Sequence, residues 1–360
     1  MYDPSKILTW LADNVQSMRR SRQKTLAAIV SGAMRMKGCG VLALGRAMDG
    51  PSKAKHRIKR VDRFLGNDGV ENDALCASLF RTLCPASGHV VVLVDWTDRH
   101  AWQQLTLAVP CDGRAMPFYS VTIEKGDGTG KHAGTMIVAE HRALNALASF
   151  CPHGVTPTII ADRGFGHTRW LQDVTNRGWH FVQRVSHQQT VCVERHTGTL
   201  KELGMRRGWK ARDFGWGTVG EKQWGSVRLV SVFGKKCKEA WYLLTNRDDL
   251  PHQIVQLYQR RMWIEAMFRD LKNRNWGLGL DHVKLRSPDR NDRLFLILAL
   301  AYILLCAFGA AAEKMGLAQP LKANTVRERV MALARIGNYC IQLADNPVAL
   351  LIRSLKMLPT

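Results

Sequence analysis

Acidic residues are scarce in this sequence. It has 30 Asp plus Glu against 52 Lys plus Arg among 360 residues, which gives a formal net charge of +22 and a pI near 10. A protein with this much positive charge has acidic partners; nucleic acid is the usual one, and an anionic membrane surface is the alternative. The composition therefore favours a protein that binds nucleic acid.

The sequence also lacks the cysteine patterns of disulfide-rich proteins and zinc ribbons. Its nine cysteines are an odd number, and no C-x-x-C pair occurs. Dispersed free thiols are typical of a reducing cytosol. The N-terminus, MYDPSKILTW, lacks the charged-then-apolar layout of a signal peptide. We therefore expect a cytoplasmic protein.

One long run without charge allows two interpretations. Residues 294–312, LFLILALAYILLCAFGAAA, are long enough to cross a bilayer. The alternative is a helix buried in the core of a large protein. The run would be the only membrane span in the sequence, and its second half is rich in alanine. The rest of the chain is basic and has the pattern of a globular protein. We therefore predict a buried helix and no membrane association.

Residues 1–85 are mostly helical in pattern and contain basic clusters. In one of them, Ile58, Val61 and Leu65 recur at helical spacing and form an apolar stripe. The flanking basic side chains form either a solvated helix face or a surface that lies along a phosphate backbone. The net charge favours the second interpretation, which predicts DNA contacts by Lys53, Lys55, Arg57, Lys59, Arg60 and Arg63.

Two apolar runs in the middle of the chain each end in an aspartate. They are HVVVLVD at 89–95 and TPTIIAD at 156–162. Their composition predicts buried strands, and the helical patterns that alternate with them indicate an α/β sheet. Residues 187–248 then show short alternating runs with interspersed glycine and tryptophan, which indicate a β-rich insertion.

The two aspartates are candidate metal ligands. In open α/β sheets, ligands bind at the carboxyl ends of the strands, and the acids that end these runs, Asp95 and Asp162, would lie close together on neighbouring strands. Two such carboxylates repel each other unless a divalent cation such as Mg²⁺ neutralises them. The alternative is that both are turn or capping residues. Asp98 is a competing ligand, but Asp95 lies directly at the end of the apolar run.

A third acid occurs in the basic and apolar stretch YQRRMWIEAMFRDLK at 258–272. On a helical wheel, Tyr258, Arg261, Glu265 and Lys272 share one stripe roughly 60° wide. An adjacent apolar face allows the helix to pack on the sheet. An i, i+4 ion pair between Arg261 and Glu265 is the simpler explanation, but it does not account for the other two residues.

These residues resemble a known family. The spacing Y-x2-R-x3-E-x6-K, formed by Tyr258, Arg261, Glu265 and Lys272, resembles the signature of bacterial insertion-sequence transposases of the insertion sequence four group, which are DDE transposases. The segments DWT at Asp95 and ADRGF at Asp162 resemble the surroundings of the first two catalytic aspartates in that family. The similarity covers roughly residues 50–310.

The resemblance implies a fold and a metal site. The fold would be an α/β, ribonuclease-H-like core, that is, a mixed five-stranded sheet with helices on both faces, a β-rich insertion and helical terminal regions. Asp95, Asp162 and Glu265 would be catalytic and would hold two Mg²⁺ ions when DNA is bound, with Mn²⁺ as a substitute. Tyr258, Arg261 and Lys272 would contact phosphates of the transposon end.

The predicted regions follow from this fold. We expect a helical DNA-binding region, a catalytic core in two parts that flank the insertion, and a C-terminal helical region. The N-terminal DNA-binding region spans 1–85, the first part of the core spans 86–186, and the insertion spans 187–250. The second part of the core spans 251–312, and the C-terminal region spans 313–360.

The implied function is that of a DNA transposase. It would cut transposon ends and join them to target double-stranded DNA by two-metal phosphoryl transfer, as a homodimer assembled on DNA in the bacterial cytoplasm, in association with the nucleoid. A catalytically inactive DNA-binding regulator and a nuclease with the same core are the alternatives. In related enzymes an aromatic residue of the insertion stacks on a flipped base. The candidates are Trp209, Trp216, Trp224 and Trp241, and for each of them a place in the core is the favoured alternative.

Overall fold

A computed structural model describes residues 4–35, 38–70, 72–126, 132–275, 277–321 and 331–343. In its N-terminal part the chain forms five helices, α1 (Ser5–Asn14), α2 (Arg20–Arg35), α3 (Val41–Ala47), α4 (Ala54–Leu65) and α5 (Asn72–Leu83). Parts of the predicted C-terminal region, 322–330 and 344–360, lie outside the described residues.

Helix α4 carries the predicted basic cluster and buries the opposite face. Val61, Phe64 and Leu65 are buried and Ile58 is half-buried. A Cβ added at Gly45 of α3 would lie only 2.5 Å from the Cα of Ile58, so α3 and α4 cross at a close contact that requires glycine. The cluster is directed to solvent, since its basic side chains are exposed except for the half-buried Arg57.

The described strands form one ten-stranded mixed sheet. The core strands are β1 (Gly88–Arg99), β2 (Trp102–Cys111), β3 (Arg114–Glu124), β4 (Val155–Ala161) and β5 (His180–Val185). They lie in the order β3-β2-β1-β4-β5, in which β1, β4 and β5 are parallel and the other neighbours are antiparallel. The predicted five-stranded mixed core is therefore confirmed.

The insertion extends this sheet. Its strands are β6 (Thr190–Val193), β7 (His196–Thr199), β8 (Trp209–Val219), β9 (Trp224–Phe233) and β10 (Trp241–Thr245). Strand β10 pairs antiparallel with β5, and the order continues β10-β9-β8-β6-β7. The edge of β5 is thus covered by hydrogen-bonded backbone and is not left open for pairing with another chain.

Helices pack on both faces of the sheet, as expected for the ribonuclease-H-like fold class. After the N-terminal helices come α6 (His132–Phe150), α7 (Thr168–Thr175), α8 (Pro251–Gln259), α9 (Met262–Lys272), α10 (Pro288–Lys314) and α11 (Leu333–Leu343). The single helix expected from about 251 is two helices, α8 and α9, separated by a turn at 260–261. Arg260 and Arg261 both keep right-handed helical dihedral angles there, so the predicted stripe is largely preserved.

Helix α10 contains the long apolar run. By length and composition it could span a membrane, but 83% of its most apolar window is buried inside the protein. It begins at Ser287, whose hydroxyl accepts a hydrogen bond from the backbone N–H of Arg290, and at Pro288 in the first turn. The expected buried helix is therefore observed.

A buried carboxylate attaches α9 to the sheet and to α10. Asp270 of α9 accepts a hydrogen bond from Arg114 Nε of β3 at 2.9 Å and another from the hydroxyl of Tyr302 of α10, also at 2.9 Å. Asp270 is 6% exposed, and Tyr302 is completely buried. Because two charged or polar partners are satisfied by one buried acid, this contact fixes the position of α9.

We expect the substitution Tyr302→Phe to lower the free energy of unfolding by about 1 kcal/mol, since it removes one hydrogen bond, and Asp270→Ala to lower it by about 3 kcal/mol, since it leaves Arg114 and Tyr302 without their acceptor. Urea denaturation followed by circular dichroism measures both changes. Tyr339→Phe, at a tyrosine that is 42% exposed, is the matched control. Equal midpoints for the two tyrosine variants would contradict the proposed anchor.

Candidate active site

The register of the parallel strands brings the first two acids together. Val94 of β1 is aligned with Ala161 of β4, so the residues that follow them, Asp95 and Asp162, lie side by side at one edge of the parallel sheet. Their local structures differ. Asp95 lies inside β1, which continues to Arg99 through its pairing with β2, whereas Asp162 follows the last residue of β4. The expectation that both acids end their strands is thus correct only for Asp162.

Each aspartate uses one oxygen locally and directs the other to the shared edge. Asp95 Oδ1 accepts a hydrogen bond from the backbone N–H of Trp96 at 3.0 Å. Asp162 Oδ1 accepts one from the backbone N–H of Gly164 at 2.8 Å and caps a 3₁₀ turn at 163–165. Asp162 is therefore a capping residue and a member of the acidic site at once, and the Oδ2 atoms of both aspartates are available to a common partner.

That common partner is Arg261. Its guanidinium Nη2 lies 3.1 Å from Asp95 Oδ2 and 3.3 Å from Asp162 Oδ2, and its Nη1 donates to Glu265 Oε1 one helical turn further along the chain. The structure thus places the three predicted acids around one guanidinium, which is buried with 7% exposure. The i, i+4 pair with Glu265 exists, but it is part of this larger cluster.

Burial dominates the electrostatics of the cluster. It raises the pKa of Asp95 from 3.8 to about 7, against the lowering effect of Arg261 and with a further increase from Asp162 and Glu265. Burial opposes the charge of Arg261, but the carboxylates, Asp95 first, raise the pKa of its guanidinium above its ordinary value. The positive charge of Arg261 is therefore permanent, and Asp95 is the acid in this cluster whose ionisation burial resists.

Asp98, the competing ligand, lies outside the cluster. Its carboxylate pairs with Lys125 at 2.6 Å and accepts a hydrogen bond from Gln103, and its side chain is 55% exposed. The hydrogen bond from Lys125 lowers the pKa of Asp98. Its backbone carbonyl accepts a 2.7 Å hydrogen bond from Lys272 Nζ. Asp98 therefore orients Lys272 and does not join the three acids.

The remaining signature residues occupy two different environments. Lys272 borders the cluster and also pairs with Asp281 at 3.7 Å. Tyr258 differs from the expectation of a DNA-contacting residue, because it is completely buried, and its hydroxyl lies near the guanidinium groups of Arg261 and Arg184. Burial raises the pKa of Tyr258 to about 12. Its ring meets Trp241 edge to face, with centroids 5.1 Å apart, so it packs beneath the site.

An open cavity of about 920 Å³ contains the three acids, Arg261 and Lys272. Further basic residues that the sequence pattern did not single out line it as well: Arg269, Arg274 and His282. Arg269 lies four residues after Glu265, so helical spacing alone was enough to find it. Arg274 and His282 lie in the loops after α9, and only the tertiary fold brings them here. The basic residues of α4 do not line this cavity.

The cluster has the donor chemistry of a divalent metal site. Three carboxylates converge on one positive group, and hard oxygen ligands are those that Mg²⁺ and Mn²⁺ prefer. In their present arrangement, however, the described His, Cys, Asp and Glu residues form no group of three or more that could hold a metal ion. The guanidinium of Arg261 lies among the carboxylates. A cation that contacted all three carboxylates at this point would have to displace Arg261.

The raised pKa of Asp95 predicts a pH-dependent stability in buffer with a chelator. A carboxyl group whose pKa rises from 3.8 to about 7 on folding stabilises the fold fully below pH 4 and loses that contribution as the pH rises through 7. We expect Asp95→Asn to raise the melting temperature at pH 8 by several degrees relative to wild type, because each kcal/mol is worth about 1–2 °C in a chain of 360 residues. At pH 4 the gain disappears.

Differential scanning calorimetry measures this difference, and Asp98→Asn is the control. The pKa of Asp98 is lowered, so that neutralising it removes stability at pH 8. A gain for Asp95→Asn that is equal at both pH values would contradict the assignment.

Comparison with known proteins assigns the chain to a family. The chain matches the transposase DDE domain over residues 86–304, which begin just before β1, end within α10 and include all three acids. Among curated proteins, no match was found. Because the matched segment covers more than half of the 360 residues, the chain belongs to the family of transposases with a DDE domain.

Proposed function

We propose that the protein is a DNA transposase that cuts transposon ends and joins them to target DNA by metal-dependent phosphoryl transfer. One observation carries this proposal: Asp95, Asp162 and Glu265 meet at one point in a basic cavity of a protein of the DDE family. The net charge of +22 supports double-stranded DNA as the partner.

The three acids are the proposed ligands of Mg²⁺, with Mn²⁺ as a substitute and two ions expected when DNA is bound. When bound, these ions activate the attacking oxygen and neutralise charge at the phosphorus and at the leaving oxygen. The buried edge of the sheet holds Asp95 and Asp162 rigidly, whereas Glu265, whose side chain is 49% exposed, reaches in from α9. Rigid ligands on strands and an adjustable one on a helix suit a site that must accommodate a DNA strand.

Arg261 has two proposed roles. In the structure its single positive charge offsets part of the negative charge of the three carboxylates, which would otherwise repel one another more strongly in this partly buried site. If the carboxylates held a metal ion, the guanidinium of Arg261 would be free to bind a phosphate of the substrate with its planar fork. Lys272, oriented by the carbonyl of Asp98, would contact the backbone as a point charge. Tyr258 would support Arg261 and Lys272 from the interior of the protein, where its ring packs on Trp241.

Trp241 is the proposed stacking residue for a flipped base. All four candidate tryptophans are half-buried, but Trp241 contacts Tyr258 and therefore lies next to the signature helices. Trp209 already has the guanidinium of Arg212 over its ring, 3.7 Å from the centroid. A base stacked on Trp241 would lie beside the cavity with the acids.

The finer identity rests on the signature and the charge. We propose membership of the insertion sequence four group, assembly as a homodimer on DNA, and action in the bacterial cytoplasm at the nucleoid. The exposed basic residues of α4, including Lys55, Lys59 and Arg63, would bind DNA outside the catalytic cavity. An inactive DNA-binding regulator is disfavoured because all three acids are present and converge. Products joined to target DNA would distinguish a transposase from a nuclease.

We expect Asp95→Ala and Glu265→Ala to reduce Mg²⁺-dependent cutting of DNA that carries the element's ends by at least about 100-fold, since each removes a metal ligand. Gel electrophoresis of labelled DNA measures cutting and joining. Asp98→Ala is the matched control and should retain most of the activity. Undiminished cutting by the first two variants would reject the proposed function.

We expect Arg261→Gln to bind Mn²⁺ about 10-fold more tightly than wild type in the absence of DNA, because the competing guanidinium is gone, and to bind DNA more weakly. Isothermal titration calorimetry measures the metal affinity. Arg260→Gln, at the exposed neighbouring arginine, should leave it unchanged. A weaker affinity for Mn²⁺ in Arg261→Gln would show that the arginine assists the carboxylates and does not compete for them.

A further inference from the structure

A second basic cavity opens where β5 meets the insertion. Its volume is about 370 Å³. Five basic side chains and one acidic side chain line it, namely Arg163, Arg184, His187, Lys201, Lys238 and Glu239. With His187 neutral, four positive charges face one negative charge. The signature and the acidic cluster do not account for this excess of positive charge.

The register of the sheet places this cavity beside the acids. Ala161 of β4 is aligned with Gln183 of β5, so the next residues, Asp162 and Arg184, lie level with each other on neighbouring strands. Neighbouring strands are about 4.8 Å apart, and β4 lies between β5 and β1. Arg184 on β5 is therefore roughly 10 Å from Asp95 on β1, measured across the strands. Lys272 is on the other side, since the cavity it lines opens beside β1. The acids lie within the first cavity and therefore have Lys272 on their β1 side and the second basic cavity on their β5 side.

The ion pairs inside the cavity leave a net positive charge. Glu239 pairs with Arg184 at 2.7 Å and with Arg163 at 3.6 Å, so that one carboxylate serves two guanidinium groups. Arg184 is 15% exposed, and its Nε has no hydrogen-bond partner among the described residues. Lys201 and Lys238 are exposed at the mouth of the cavity. A ligand with several anionic oxygens would satisfy these groups better than the single carboxylate does.

The backbone gives the cavity a fixed shape. The N–H of Lys201 donates to the carbonyl of His187 at 2.8 Å, which holds the 3₁₀ turn at 200–203 against the end of β5. Tyr242 of β10 is aligned with Val185 of β5 and lines the floor. Of the five basic side chains, Arg184 projects from β5, Arg163 and Lys201 lie on 3₁₀ turns, and His187 and Lys238 lie in loops next to paired strands.

We infer that this cavity binds backbone phosphates of the DNA strand whose scissile phosphate lies at the acids. The inference rests on the proposed function, because it takes the acidic cluster as the point of cleavage. Lys272 holds the strand on the β1 side, and the second cavity holds it on the β5 side. Glu239 neutralises the two arginines until a phosphate replaces it, so the carboxylate limits the affinity for DNA.

The double variant Lys201→Gln/Lys238→Gln tests the inference, since both side chains are exposed and their replacement should not affect folding. Binding to a duplex of about 40 base pairs is measured by fluorescence anisotropy without divalent metal over a range of salt concentrations. We expect weaker binding and a plot of log K against log salt whose slope falls by about two, because each lysine neutralises one phosphate in the wild-type complex. Lys222→Gln, at an exposed lysine at the opposite end of the β8–β9 hairpin, is the matched control and should leave the slope within about one unit of wild type.

Glu239→Gln tests the same cavity in the opposite direction. Removing the carboxylate frees Arg163 and Arg184, and we expect DNA binding to become several-fold tighter at low salt. A purely structural role for the ion pairs gives no reason for tighter binding. Unchanged or weaker DNA binding by Glu239→Gln would overturn the inference, as would a double variant that binds DNA like wild type.

Titration with inorganic phosphate separates the two sources of the ligand. If the double variant binds inorganic phosphate more weakly but binds DNA like wild type, the cavity is a site for the free ion and the inference fails. Mg²⁺-dependent cutting by wild type is measured in parallel on the same preparation. Its absence would reject the proposed function, whereas the binding data would still decide whether the cavity contacts DNA.

Discussion

The site depends on one shared charge. Three carboxylates from distant parts of the chain meet at the guanidinium of Arg261, in a place where burial raises the pKa of Asp95 to about 7. Without a cation, three acids at this distance would repel one another and resist ionisation. Arg261 supplies that cation from the same helical segment as Glu265. The arrangement makes any divalent metal a competitor of an internal side chain, which is the basis of the metal-exchange mechanism proposed for the enzyme.

The rest of the fold holds this meeting point in place. Parallel pairing of β1 with β4 brings Asp95 and Asp162 to the same level, and Asp270 attaches α9 to β3 and α10 so that Glu265 reaches them. The insertion continues the same sheet beyond β5, and its register carries a second basic cavity to the same edge. One sheet thus aligns Asp95, Asp162 and Arg184, and α9, which packs on that sheet, adds Glu265 and Lys272.

The sequence pattern predicted that Asp95, Asp162 and Glu265 would converge, because strand composition and helical periodicity are local properties. Asp95 was preferred to Asp98 on its position after the apolar run, and in the structure Asp98 pairs with Lys125 outside the cluster. The pattern could not reveal that Tyr258 is buried, since a residue on the polar side of an isolated helix becomes internal once the insertion packs over it. Arg184 and Glu239 gave no local signal, because they meet only through the pairing of β5 with β10 and the course of the loop that precedes β10.

By itself the sequence determined the alternation of strands and helices, the buried character of α10 and the positive charge, and it marked the three acids as candidates. Each of these depends on composition or on a period of two or 3.6 residues. Only the tertiary structure decided that the insertion extends the core sheet, that Arg261 contacts all three acids, and that Arg184 lies beside Asp162. These contacts join residues far apart in the chain. Their geometry is set by register and packing, which no single segment encodes.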